Sequence, residues 1–113
     1  MRYRFFDKHN LGEPFIYLHP YKQKEVYDTL QSLGDDIDLM IIFGSATQLY
    51  CHEHSDIDVC VVSSNPEPRV SFETSACDIL AYPSVAELRR LKNAPEYNIE
   101  KSIWQQGVVV HAK

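Results

Sequence analysis

The stretch GSATQLYCHEHSDID, residues 44–58, decides how this chain is read. It opens on Gly44-Ser45 directly after the apolar run Leu39-Met40-Ile41-Ile42-Phe43, and it closes on Asp56 and Asp58, two like charges two residues apart. An unbroken apolar run ending at a glycine is the pattern of a short strand covered on both faces, so 39–43 is expected to be central in its sheet. If Asp56 and Asp58 lie on the next strand, they project from one face about 6.6 Å apart along the chain, and Ile57, Val59 and Val61 take the other. Parallel carboxylates repel unless a proton or a cation lies between them, so the pair calls for a divalent ion.

Working outward, the prolines of Ser63-Ser64-Asn65-Pro66-Glu67-Pro68 make a turn. A turn over Ser64–Arg69 brings a second strand, 75–82, beside 57–63. Asp78 then joins Asp56 and Asp58 on one face. Mg²⁺ favours one or two protein carboxylates completed by water and substrate phosphates, so this acidic set suits a nucleotide-bound metal. Gly44 and Ser45 stand where the buried strand gives way to a short helix. Free backbone N–H groups there, with the serine hydroxyl, suit phosphate.

The flanking segments frame the site. Val26, Leu30 and Leu33 recur at helical spacing after Pro20, with Gly34 as a stop. Ser84-Val85-Ala86-Glu87 carries the S-x-x-E capping-box signature and opens a helix presenting Val85, Leu88 and Leu91. A further helix beginning near Pro95 shows Ile99 and Ile103 and ends at Gly107, before a closing strand Val108-Val109-Val110. The order predicts an α/β (α+β) fold, a small mixed central sheet with helices packed on it. Residues 20–113 form the domain. Residues 1–19 are an N-terminal extension whose aromatic stretches Tyr3–Phe6 and Phe15–Leu18 are expected to pair as an edge hairpin.

Gly44-Ser45, Ser55-Asp56-Ile57-Asp58 and Asp78, in that order, resemble the signature of the minimal nucleotidyltransferases of the polymerase-beta-like superfamily, over about Tyr21 to His111. The resemblance implies that Asp56 and Asp58 bind the catalytic metal, Mg²⁺ or Mn²⁺. Asp78 completes the site as second-metal ligand or general base, and Gly44, Ser45 and Ser55 address the nucleotide. It implies transfer of a nucleoside monophosphate, AMP from ATP by family habit, to an acceptor hydroxyl. Family members of this length often act as antitoxins on a HEPN toxin, so such a partner protein is the leading acceptor. Many relatives carry arginines and a second glycine after Gly-Ser, where this chain has Ala46, Gln48 and Leu49. A second reading is therefore a catalytically weak antitoxin or binding module that acts by contact. A third is a nucleotidyltransferase for a small molecule of the aminoglycoside type, whose longer relatives carry an added helical acceptor domain. Homo- or hetero-oligomers are open.

Composition limits the alternatives. The 113 residues suit one domain, and 44% hydrophobic with 24% charged residues is the balance of a globular protein. A net charge of -5 works against holding a long nucleic acid backbone. The three cysteines, Cys51, Cys60 and Cys77, form no C-x-x-C pair and read as reduced thiols. With no export signal and no membrane-length apolar run, the expected location is the cytoplasm. Cys51, His52, His54 and Cys60 fit no zinc spacing well, and the histidines read as exposed loop residues. Arg4 and His9 have the spacing of a HEPN ribonuclease motif, which belongs in an all-helical domain and is read here as chance. Trp104 reads as a packing anchor.

Overall fold

The computed structural model describes residues 18–113, so the expected N-terminal hairpin and the Arg4/His9 pair lie outside the described residues. Pro20–Gln31 forms helix α1, Ile37–Phe43 strand β1, Ile57–Ser63 strand β2 and Cys77–Tyr82 strand β3. A 3-10 turn at Val85–Leu88 runs into the short helix α2, Arg89–Asn93, followed by helix α3, Ile99–Gln106, and strand β4, Val108–Ala112. The sheet order is β3-β2-β1-β4, with β1 antiparallel to both β2 and β4, and β2 parallel to β3. This is the small mixed α+β architecture that the residue pattern predicts.

Both faces of the sheet are covered, which explains the unbroken apolar runs. One face carries Met40, Ile42, Ile57, Val59, Val61, Val108 and Val110 against Val26 of α1 and Leu18. The other carries Leu39, Ile41, Phe43, Cys60, Val62 and Val109 against Leu88, Leu91 and Ile103. Each fully buried aliphatic side chain of this kind is worth about 1.5–3 kcal/mol against exposure. The two central strands therefore anchor the fold and form a stiff floor for anything built at their ends.

Local chemistry departs from the sequence pattern at several places, beginning with α1, which ends at Gln31 with Ser32 as its C-cap, ahead of the expected stop at Gly34. Ser84 makes no side-chain capping bond, so the S-x-x-E signature is not a capping box here; only the backbone N–H of Glu87 reaches the Ser84 carbonyl, at 3.2 Å. The turn that follows and helix α2 bury Leu88 and Leu91 but leave Val85 exposed. Helix α3 starts at Ile99 rather than near Pro95, because Asn98 supplies the N-cap, accepting from the Glu100 N–H at 2.8 Å. Gly107 ends α3 without a left-handed conformation; a Cβ there would strike the Ile103 carbonyl oxygen and Ile41, so close packing selects the glycine.

The link between β2 and β3 is longer than the proline turn alone. Parallel neighbours require a crossover of about a dozen residues, and residues 64–76 supply it without a helix. On the way, Phe72 is buried beside α1 and Thr29 donates to the Ser71 carbonyl at 2.8 Å. Leu18 is 2% exposed and His19 caps α1 through its ring Nδ1, so both pack with the folded domain.

Candidate active site

Parallel pairing places Asp58 of β2 directly opposite Asp78 of β3, while Phe43, at the end of β1, is the antiparallel partner of Asp58. The three strand ends thus meet at one corner, and Gly44 follows Phe43 into it. Gly44 has φ +76°, the one positive φ among the described residues. A Cβ at this position would collide with Asp58 Oδ2. Glycine is needed twice over, for the left-handed turn and for the close approach of backbone to carboxylate.

The chain then makes a 3-10 turn, Gly44–Thr47. Thr47, which the sequence reading overlooked, is buried and locks the turn by donating to the Gly44 carbonyl at 2.8 Å. Ser45 Oγ donates to the Asp56 carbonyl at 3.4 Å, joining the two halves of the opening stretch. The expected short helix is only this one turn, too short for a macrodipole. Any phosphate cradle here rests on the Gly44–Ser45 backbone and hydroxyl instead.

Gly44, Ser45, Asp58 and Asp78 line one cleft of about 590 Å³, together with Tyr50, Ile79, Leu80, Ile99, Ser102 and Gln106. Tyr50 and the α3 residues were missed because they come from a loop and a helix with no motif of their own. Ser55 and Asp56 do not line the cleft. The Ser55 hydroxyl accepts from the His52 N–H at 3.0 Å and the Ser55 N–H donates to the His52 carbonyl at 3.0 Å, so Ser55 closes the loop that delivers Asp56. Asp56 itself is exposed just before β2.

The electrostatics follow this arrangement. Asp58 is pushed up from 3.8 to about 6, first by burial, then by the charge of Asp78 and a hydrogen bond with it, and last by the charge of Asp56. Asp58 thus keeps its proton into mildly acid solution, facing the Asp78 carboxylate, with Asp56 felt from the side. Among the described residues, no group of three or more His, Cys, Asp or Glu stands close enough to hold a metal ion. The expected three-acid cluster is accordingly a converged pair with a third acid alongside, because Asp56 precedes the strand that fixes the other two. Two converging hard oxygen donors are a donor set of the kind Mg²⁺ or Mn²⁺ takes, with phosphate oxygens and water as further ligands.

The cysteines and histidines do not compete for this role. Burial, then the charge of Glu100, pushes the Cys60 thiol up to about 12. Burial and the nearby Asp78 and Asp58 push Cys77 up to about 11. Both stay neutral thiols, while His52 and His54 are exposed in the loop.

The family model described as Polymerase beta, Nucleotidyltransferase matches residues 24–113. The chain belongs to this nucleotidyltransferase family. The matched span holds β1–β4, the Gly44–Thr47 turn and all three acids, so the nucleotidyltransferase domain and the cleft are the same part of the molecule. No curated protein matches the chain. Among the described residues, no helix is long and apolar enough to cross a membrane.

Proposed function

We propose that this nucleotidyltransferase domain transfers a nucleoside monophosphate, AMP from ATP, to a hydroxyl of a partner protein, in the manner of an antitoxin acting on a HEPN-type toxin. The observation that carries the reading is the convergence of Asp58 and Asp78 at the mouth of the Gly44–Ser45 turn. Asp58 and Asp78, with Asp56 beside them, would hold Mg²⁺ or Mn²⁺. When bound, the ion neutralises phosphate charge and polarises the phosphoryl oxygens.

The chain's own residues have separate tasks. The Gly44–Ser45 backbone and the Ser45 hydroxyl hold the β- and γ-phosphates, and Ser55 fixes the loop behind them. The acceptor oxygen attacks the α-phosphorus, a new O–P bond forms, and the bond to the bridging oxygen breaks to release pyrophosphate. The acceptor proton passes to the Asp78 carboxylate. Exposed Tyr50 and Ile99, 70% and 57% accessible, rim the cleft and suit a protein surface as acceptor more than an enclosed small molecule.

One observation favours the contact reading. Among the described residues, none that lines the cleft is basic, so the triphosphate meets no lysine or arginine from them there. The test is incubation of the chain and its candidate partner with Mn²⁺ and ATP labelled at either the α- or the γ-phosphate. Label from the α-position alone on the partner supports nucleotidyl transfer. Neutralisation of the partner with no α-label, undiminished by Asp58→Asn, overturns it in favour of contact.

A further inference from the structure

Lys22 is fully buried, at 0% exposure, in the first turns of α1. Taking an ammonium out of water is costly unless its donors are used, and an apolar residue of similar volume would serve stability as well or better. Here the donors reach two distant segments: the Glu53 carbonyl at 3.0 Å and Ser75 Oγ at 2.7 Å. Glu25 Oε2 lies 3.9 Å from the same nitrogen. Glu53 precedes Asp56 in its loop, and Ser75 precedes Asp78 at the entry to β3.

Neighbouring bonds reinforce this junction. Glu25 Oε1 accepts from the Thr74 N–H at 2.7 Å, the Thr74 hydroxyl at 2.7 Å and the Ser75 N–H at 3.0 Å, and Oε2 accepts from Ser75 Oγ at 2.5 Å. The His19 N–H donates to the Ala46 carbonyl at 2.7 Å, inside the Gly44–Thr47 turn. The start of α1 therefore grips the phosphate turn, the loop leading to Asp56 and the loop leading to Asp78. It does so from the sheet face opposite the carboxylates. Lys22 also precedes residue 24, where the family match begins.

We propose that Lys22 is a positioning residue for the metal site. By tying the Glu53 and Ser75 segments to one helix, it sets Asp56 against the Asp58–Asp78 pair, whose own spacing the sheet already fixes. Outer groups that orient ligands without touching the metal commonly change its affinity by about 10- to 100-fold. The inference rests on the reading of these acids as a metal site, and its test separates the two.

The experiment titrates Mn²⁺ alone into the full chain at pH 8 and reads free Mn²⁺ by electron paramagnetic resonance. The variants are Lys22→Met, Ser75→Ala and Val110→Ala. Val110 is buried in the same core but stands on β4, the strand farthest from β3. Its truncation lowers stability without touching the junction. We expect Lys22→Met to weaken Mn²⁺ binding about tenfold or more, Ser75→Ala to weaken it in the same direction by less, and Val110→Ala to stay within about twofold of the parent. Parent-like affinity in Lys22→Met, or equal weakening in Val110→Ala, overturns the proposal while the metal site stands. If Lys22→Met does not fold, parent-like binding by Ser75→Ala overturns it. Absence of Mn²⁺ binding by the parent chain overturns the metal-site reading itself, and the positioning role with it.

Discussion

Gly44 and Asp58 are in such close apposition that a single methyl group on Gly44 would occupy the space of the Asp58 carboxylate. The turn that would hold phosphate and the carboxylate that would hold metal are thus built against one another, not merely near one another. Strand pairing enforces this, since Phe43 and Asp58 are register partners.

Gly44→Ala is expected to be costly on two counts, the positive φ and the collision. Backbone strain alone is worth about 1–2 kcal/mol. Chemical denaturation should show a lowered midpoint, and nucleotide binding should be lost even where the variant remains folded. Parent-like stability together with intact binding would contradict the role assigned to the glycine.

The raised Asp58 carboxyl sets a pH dependence. In the folded chain Asp58 titrates at about 6 against an ordinary 3.8, so the native state holds its proton more tightly than the unfolded state. The stability this contributes is full below about 3.8 and is lost as pH rises through about 6. Without divalent ion, thermal unfolding should show this loss. Mn²⁺ should reverse it, because binding replaces the proton, and Mn²⁺ affinity should climb up to about pH 6 and then level off.

Asp58→Asn is expected to separate function from stability. The amide keeps the shape but removes the repulsion with Asp78 and Asp56, so the variant should melt higher than the parent at pH 8 and show little gain at pH 4. Nucleotidyl transfer should fall by at least about a hundredfold, equivalent to about 2.7 kcal/mol of barrier. Melting curves at the two pH values, with an α-label transfer assay, read both effects.

Glu25 has the opposite sign. Burial works to raise its pKa, but hydrogen bonds from the Ser75 and Thr74 side chains and backbone outweigh it and hold the carboxyl at about 2, below the ordinary 4.5. Its stabilisation is present above about 4.5 and lost as pH falls towards about 2. Glu25→Gln should therefore cost stability at pH 7 and flatten the acid limb of the stability profile, as measured by urea unfolding across pH 2–6.

The parts of this molecule legible in its sequence are those where burial writes on many neighbouring residues at once. Residues 57–63 read as a strand and form β2 with those bounds, since alternate residues meet different but equally apolar layers. That the strand bearing Asp78 lies beside β2 was readable, but the expected Asp56/Asp58 face was not what formed: Asp58 is paired with Asp78, and Asp56 lies just before the strand. Signals carried by one side chain were less secure. Ser84 has the capping sequence without the capping bond, whereas Asn98 caps α3 where Pro95 had drawn attention. Lys22 was illegible, because its partners Glu53 and Ser75 lie far along the chain and only folding brings them to it.

If the proposed function is right, Asp58 and Asp78, set against the Gly44–Ser45 turn, form one metal-triphosphate site. Calorimetric titration of Mn²⁺–ATP into the parent chain and into an Asp58→Asn, Asp78→Asn double variant tests it most directly. Saturable binding by the parent and none by the folded double variant is expected. Equal affinity in the two proteins would contradict it.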